Sequence, residues 1–324
     1  MPPEILACPA PVPIRPGWLN RLRKILFLAP VLMLCACDNA DTNTYQPEFS
    51  TTPDSTVKEY IFGVHPQRNP KKLRAVFGPL VKYLNKHVSD ANLVFEASRN
   101  FAAFDQKLAE RQFDFVLPNP YGTIKGIESG YKVFGQMGNK NDLRGLILVR
   151  RDSAIKTVAD LKGKTLSFPG PTALAATILP KYFLHTQGLA VKTDFKSVYV
   201  GSMESSLMNV YRRNVIAGTA YPPAWRDFSK ELPQVAAQLK VMWETDPMPD
   251  NSLMARDDVP QELVNRVAQV IFNMHNTDEG RAVLQAMDLT MFKPSSNEDY
   301  APVRNFLKKY EAEIGPVNQV SISK

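Results

Sequence analysis

Two short stretches of this chain carry backbone chemistry suited to holding a polar ligand, and none carries a recognisable catalytic set. The first is Asn119-Pro120-Tyr121, which follows the strand-like run Phe113 to Leu117. Proline at the first helical position leaves the next N–H groups unpaired, and Tyr121 adds an aromatic face and a phenol donor. The second is Gly170-Pro171-Thr172-Ala173, which opens a helical pattern. Free N–H groups, the positive dipole end and a hydroxyl make such a start a site for an oxyanion. Thr172 serves equally as a plain N-cap, and the two roles are compatible. His65 closes the first strand as a ligand contact or as a loop cap, and Arg68 reads first as a solvated loop residue. The histidines His65, His87, His185 and His275 are scattered, and the three cysteines, Cys8, Cys35 and Cys37, give no paired metal site. There is no nucleophile elbow, zincin motif or P-loop. The chain therefore reads as a binder, with no catalytic residue, metal or cofactor.

The cysteines point elsewhere. Ile25 to Cys37 (ILFLAPVLMLCAC) follows Arg21, Arg23 and Lys24 and turns abruptly polar at Asp38. A basic patch and a short apolar run make a secretory signal; a bilayer span needs about 20 apolar residues. Leu34, Ala36 and Cys37 resemble the lipobox of bacterial lipoproteins, which implies lipidation at Cys37 and removal of residues 1–36. Asp38 resembles the inner-membrane retention signal of enteric lipoproteins. Residues 1–17 hold six prolines, fit no part of a signal and read as an extension from a start placed too far upstream. No even set of cysteines remains to form a disulfide framework.

The chain has 324 residues, 39 Lys and Arg against 32 Asp and Glu, and a net charge of +7. That excess favours acidic small molecules or anionic lipid by steering. It is too diffuse for nucleic acid, with no dense basic run interleaved with aromatics. No later apolar run could span a membrane, so the body is held by lipid alone. Residues 37–56 are polar and read as a flexible tether.

Order begins at Val57. Glu59 to Val64 is strand-like, and Asn69-Pro70 caps a helix whose apolar positions Leu73, Val76, Phe77, Leu80, Val81 and Leu84 form one face. Strands at 93–95 and 113–117 bracket a helix with Phe101, Phe104 and Leu108 inward. Strands follow at 131–136 and 144–149, then a short helix with Thr157 and Asp160 in capping-box geometry. The pattern continues as strand 164–168, helix 173–187, strand 196–200, helix 203–213 and strands 215–219 and 239–243. Three helices close the chain, the first with Leu263, Val264, Val267, Val270, Ile271 and Met274 on one face, the others near 278–287 and 297–311. This alternation predicts an α/β fold.

The order of six segments, 60-YIFGVHP-66, 78-GPLVKYLNKHV-88, 113-FDFVLPNPYG-122, 146-LILVRRDSAIKTVADLKGKTLSFPGP-171, 180-PKYFLHTQGL-189 and 199-YVGSME-204, resembles the substrate-binding proteins of phosphate/phosphite/phosphonate ABC transporters. The resemblance runs from about Val57 to Glu311. It implies the two-lobed periplasmic-binding fold (type II), each lobe a mixed sheet flanked by helices, with the ligand cleft between lobes. Lobe one would comprise 57–147 plus 246–311 and lobe two 148–245, leaving 312–324 as a C-terminal tail. It also implies which residues face the cleft: Phe101, Tyr121, Met203, Ile216, Tyr221 and Trp225, with His65, Thr172, Glu204 and Arg68 as polar candidates. Relatives carry consecutive hydroxyl residues where Thr172 stands alone, a tyrosine at Phe101, a histidine at Met203 and an acid near Ile216. Each loss removes a partner for a strongly hydrated anion. A simple phosphonate is therefore not the expected ligand; an oxyanion-like or partly apolar, aromatic molecule is. Met203 and Ile216 read first as ordinary core.

The resemblance implies a monomeric lipoprotein on the periplasmic face of the inner membrane, capturing a small molecule by lobe closure for an ABC permease. The alternative is a sensing lipoprotein of the same fold that partners a membrane sensor kinase. A weaker third reading, an enzyme on this fold as in thiamine-pyrimidine synthesis, sits poorly with export.

Overall fold

The computed structural model describes residues 57–138 and 142–317. The expected leader with Cys37, the expected tether up to Thr56 and residues 318–324 lie outside the described residues, and the tail expected from 312 begins inside a helix that runs to Glu313.

Two sheets organise the chain. The first begins with β1 (Lys58–Val64), α1 (Pro70–His87), β2 (Ala91–Ala97), α2 (Phe101–Ala109), β3 (Phe115–Leu117), α3 (Pro120–Glu128) and β4 (Tyr131–Met137). α1 forms where the periodicity predicts: Asn69 accepts from the Lys72 N–H, Pro70 opens the helix, and Leu73, Phe77, Leu80, Val81 and Leu84 are buried. The same Asn-based cap recurs at Asn100 for α2 and Asn119 for α3. β1 pairs in parallel with β2 (Tyr60 opposite Leu93) and with β3 (Gly63 opposite Val116).

The chain then crosses to the second sheet. β5 (Leu146–Arg150), β6 (Thr165–Phe168), β7 (Lys196–Tyr199), β8 (Ala217–Ala220) and β9 (Leu239–Glu244) lie in the order β7-β6-β8-β5-β9. α4 (Leu179–Thr186), α5 (Met203–Tyr211), α6 (Pro222–Glu231) and the short α7 (Pro233–Ala236) flank them. β5 sits wholly in this sheet, so the boundary read between 147 and 148 falls inside a strand. Two further readings change. The helix expected over 173–187 starts as a π-helical stretch, Leu174–Ile178, before α4. The Thr157 helix is a single 3-10 turn, Val158–Leu161, with Asp160 accepting from the Thr157 N–H at 2.8 Å.

The chain returns through β10 (Ser252–Arg256), α8 (Gln261–Asn273), α9 (Asp278–Ala286), β11 (Phe292–Pro294) and α10 (Ala301–Glu313). β10 enters the middle of the first sheet, antiparallel to both β3 and β4, giving the order β11-β4-β10-β3-β1-β2. Neither β10, β11 nor α6 is apparent in the sequence pattern. The two crossings hydrogen-bond to each other, Met248 N–H to the Leu143 carbonyl and Thr245 N–H to the Gly145 carbonyl, both at 2.9 Å. Gly145 is required here: a Cβ would stand 2.6 Å from the Ala175 carbonyl and 2.7 Å from Pro180. α10 touches both lobes, contacting α3 and placing Phe306 edge-on to Tyr182 of α4 at 5.2 Å. One apolar core joins the lobes, with Phe104 and Val116 from the first and Leu148 and Leu207 from the second.

Candidate functional site

Parallel strands decide where the cleft lies. β1, β2, β3, β6, β7 and β8 end on the side where the lobes meet, and the residues just past their ends line it, as in other open α/β sheets. Past β1 come His65, Gln67 and Arg68. Past β3 comes Asn119, and past β6 the segment Gly170 to Ala175. Phe101, Met203 and Tyr221 sit at the starts of the helices that follow β2, β7 and β8. Each is held by a local device. Ser202 caps α5 by accepting from the Ser205 N–H, which fixes Met203 and Glu204 in its first turn. α5 is tied to the second sheet by buried hydroxyls: Ser167 to the Ser206 carbonyl at 3.1 Å, and Ser206 to the Ser167 carbonyl at 2.9 Å.

Two adjoining cavities border these strand ends. The inner one, about 10 Å³ and so room for about one water molecule as the lobes stand, is lined from lobe one by His65, Phe101 and Asn119 and from lobe two by Ala173 to Ala175, Met203 and Tyr221. Leu143 and Asn251 complete it from the two crossings. The rim cavity, about 40 Å³, is lined by Gln67, Arg68, Lys72, Glu204, Asp227 and Glu231 among others. Charges on the rim are paired across the lobes. Arg68 Nε donates to Asp227 at 3.0 Å, and Lys72 donates to Glu204 at 2.9 Å and also to Glu231. A second clasp, outside both cavities, joins Arg226 to Asp142 at 2.7 Å and to Asp288 at 2.8 Å.

Electrostatics inside differ. Among the described lining residues of the inner cavity none is a lysine, arginine or carboxylate. Burial lowers the His65 pKa to about 4, against the bond to the Leu117 carbonyl and aided by Arg68. The ring is therefore neutral near pH 7. Its Nδ1 lies 3.1 Å from the Leu117 carbonyl and must donate, leaving Nε2 as an acceptor. Burial raises the Tyr221 phenol, which donates to Gln67 Oε1.

The structure brings His65, Phe101, Met203 and Tyr221 into the inner cavity and Glu204 and Arg68 onto the rim. Four candidates sit elsewhere. Tyr121 is buried in the shared core and lines neither cavity; its neighbour Asn119 takes the lining position. Trp225 stacks on Phe228 at 5.9 Å, and Phe228, not Trp225, reaches the rim. Thr172 caps no helix, because the π-helical stretch starts after Ala173. Its hydroxyl donates across the interface to Asp105 at 2.7 Å, and its carbonyl accepts from Asn119 at 3.0 Å. Ile216 packs in the separate core on the far side of the second sheet. Gln67, Asp105, Asp227 and Asn251 went unread, because their partners lie far away in sequence. Only Gln67 had a signal, its place two residues past His65.

Likeness to known proteins agrees with this geometry. The chain is 22% identical over 258 residues to the "Phosphonates-binding periplasmic protein" of Escherichia coli, covering 76% of this chain and 75% of that protein. It is 22% identical over 231 residues to the "Tetrathionate sensor histidine kinase TtrS" of Salmonella typhimurium, covering 65% of this chain but 39% of that kinase. Among solved structures, a binding protein component of an ABC phosphonate transporter from Pseudomonas aeruginosa superposes with a TM-score of 0.73 at 17% identity, covering 79% of this chain and 87% of that one. The fold is the two-lobed periplasmic-binding fold, type II. The family model described as "ABC transporter, phosphonate, periplasmic substrate-binding protein" matches residues 62–300, and the chain belongs to that family.

Proposed function

We propose that this protein is a lipid-anchored solute-binding component of an ABC importer, capturing one small molecule by lobe closure and presenting it to a permease. The observation that supports this most is the inner cavity. It is built from both lobes and sealed by hydrogen bonds that cross from one lobe to the other, Thr172 to Asp105 and Asn119 to Thr172. A hinge of two paired crossings suits that motion. His65, Phe101, Met203 and Tyr221 would contact the ligand, Tyr121 and Thr172 would hold the cleft walls, and Glu204 would act in closure. Simple phosphonates and phosphate would bind weakly, because the neutral cavity offers a dianion no unpaired cation.

The test combines native mass spectrometry with X-ray scattering. The purified protein should carry a bound small molecule that is lost on denaturation, and reloading stripped protein with that molecule should reduce its radius of gyration. Absence of any bound mass, or no compaction on reloading, would overturn the reading. A second reading rests on the histidine-kinase relative: the bound, closed form would signal to a membrane kinase instead of a permease. A histidine-kinase gene beside this one, in place of permease and ATPase genes, would favour it.

A further inference from the structure

The cleft between the lobes contains buried hydrogen-bonding groups that no described residue uses. Gln67 and Asn251 are 3% and 1% exposed. Gln67 Oε1 accepts from Tyr221, but its Nε2 has no partner; Asn251 donates to the Met137 sulfur at 3.4 Å, but its Oδ1 has none. Buried polar atoms are nearly always satisfied, so each such orphan needs an explanation. Both belong to the cleft. Asn251 lines the inner cavity, and Gln67 lines the rim cavity while bonding a tyrosine that lines the inner one. Asn251 Oδ1 and His65 Nε2 offer two neutral acceptors against a wall of Phe101, Leu143, Leu174 and Met203, and Gln67 adds one amide donor from the adjoining rim cavity, which shares Met203 with the inner one.

An anion fits this set poorly. Two acceptor lone pairs would face it, and the nearest cations, Arg68 and Lys72, are already paired with carboxylates. Helix N-termini do converge on the cleft, and their dipoles favour negative charge. Their donors are largely spent, however. Asn69, Asn100, Asn119 and Ser202 already accept first-turn N–H groups, while Pro70, Pro120 and Pro222 supply none at the first position. A cation would satisfy the acceptors and leave the Gln67 donor unmet.

From the proposed solute-binding role, on which this rests, we infer that the ligand is an uncharged carboxamide with a small apolar body. It binds where the inner and rim cavities meet, with the lobes parted enough to admit it: its carbonyl accepts from Gln67 Nε2, its N–H donates to Asn251 Oδ1 or His65 Nε2, and its apolar part lies against Phe101 and Met203.

Three probes with one phenyl body separate the possibilities: benzamide, its near-isostere benzoate and the tetrahedral phenylphosphonate, titrated calorimetrically into ligand-stripped protein at pH 7. Benzamide should bind at least tenfold tighter than either anion. Gln67→Met and Asn251→Leu keep the shape of each side chain and remove the orphaned group. Each should weaken benzamide at least tenfold relative to wild type, with circular dichroism unchanged. Either anion binding as tightly as benzamide would overturn the inference, and so would folded variants that both bind benzamide like wild type. If none of the three binds while native mass spectrometry still shows a co-purified molecule, the carboxamide assignment fails and the solute-binding reading stands. If no molecule co-purifies either, both fail.

Discussion

Asp105 and His65 face the closed interface with opposite responses to acid. Burial pushes the Asp105 carboxyl up to about 6, and the Thr172 hydroxyl it accepts from only partly offsets this. A folded-state value above the unfolded one means that the closed form takes up a proton as pH falls. The cost of burying the charge is complete above pH 6 and disappears toward pH 4. His65 behaves in reverse. Held at about 4, below its ordinary 6.5, it stabilises the fold fully above pH 6.5 and loses that contribution as pH falls from 6.5 to 4. Asp105→Asn keeps an acceptor for Thr172 and should raise stability at pH 7.5 by about 1 kcal/mol, a figure reduced for partial solvent exposure. The gain should vanish near pH 4. His65→Gln should flatten the acid side of the profile by about 2 to 3 kcal/mol between pH 6.5 and 4, whatever its effect on absolute stability. Urea titrations at half-unit pH steps check both, and parallel profiles for wild type and either variant would contradict the assignment.

At the scale of elements, the turn between β6 and the π-helical stretch meets α2 directly. A Cβ at Gly170 would stand 2.7 Å from Phe101 Cδ2 and 3.1 Å from its Cγ, and the Phe101 ring is buried. Gly170→Ala adds one methyl between the lobes and should wedge them apart without harming either sheet. Ligand affinity should fall roughly tenfold, about 1.4 kcal/mol, and scattering should show a larger radius in the presence of ligand. Wild-type affinity together with wild-type compaction would show that the lobes do not close on this contact. The elements themselves were legible to different degrees. α1 announces itself by six apolar residues at helical spacing, α8 by five with Met274 of the turn after it, and β1 by its β-branched and aromatic run. α6 begins with two prolines and buries only Pro222, Pro223 and Phe228, too few for a period to show. β10 reads Ser-Leu-Met-Ala-Arg, which neither alternates nor favours a strand; only its place between β3 and β4 makes it one. The cleft followed the same rule. His65, Met203 and Tyr221 stand beside strand ends that the pattern reveals, whereas Asn251 precedes a strand that it does not.

For the whole molecule, anchoring and closure are separate matters. Among the described residues no helix is long and apolar enough to cross a membrane, so the proposed attachment rests on Cys37, which lies outside them. Cys37→Ser should leave unprocessed precursor or released protein, and unchanged membrane fractionation after a carbonate wash would contradict the anchor. The split connectivity of lobe one has its own consequence, for the order in which the protein is completed. Lobe two is continuous from β5 to β9 and contains all its own strands, so it can finish as soon as it emerges. Lobe one cannot. β3 and β4 become part of one sheet only when Ser252–Arg256 arrives between them, with Val116 and Val133 both waiting for Met254. Until then β3, whose three residues are all buried in the finished protein, presents an unpaired apolar edge. Assistance from a chaperone would matter most in that interval, because the lobe that appears first is the one completed last.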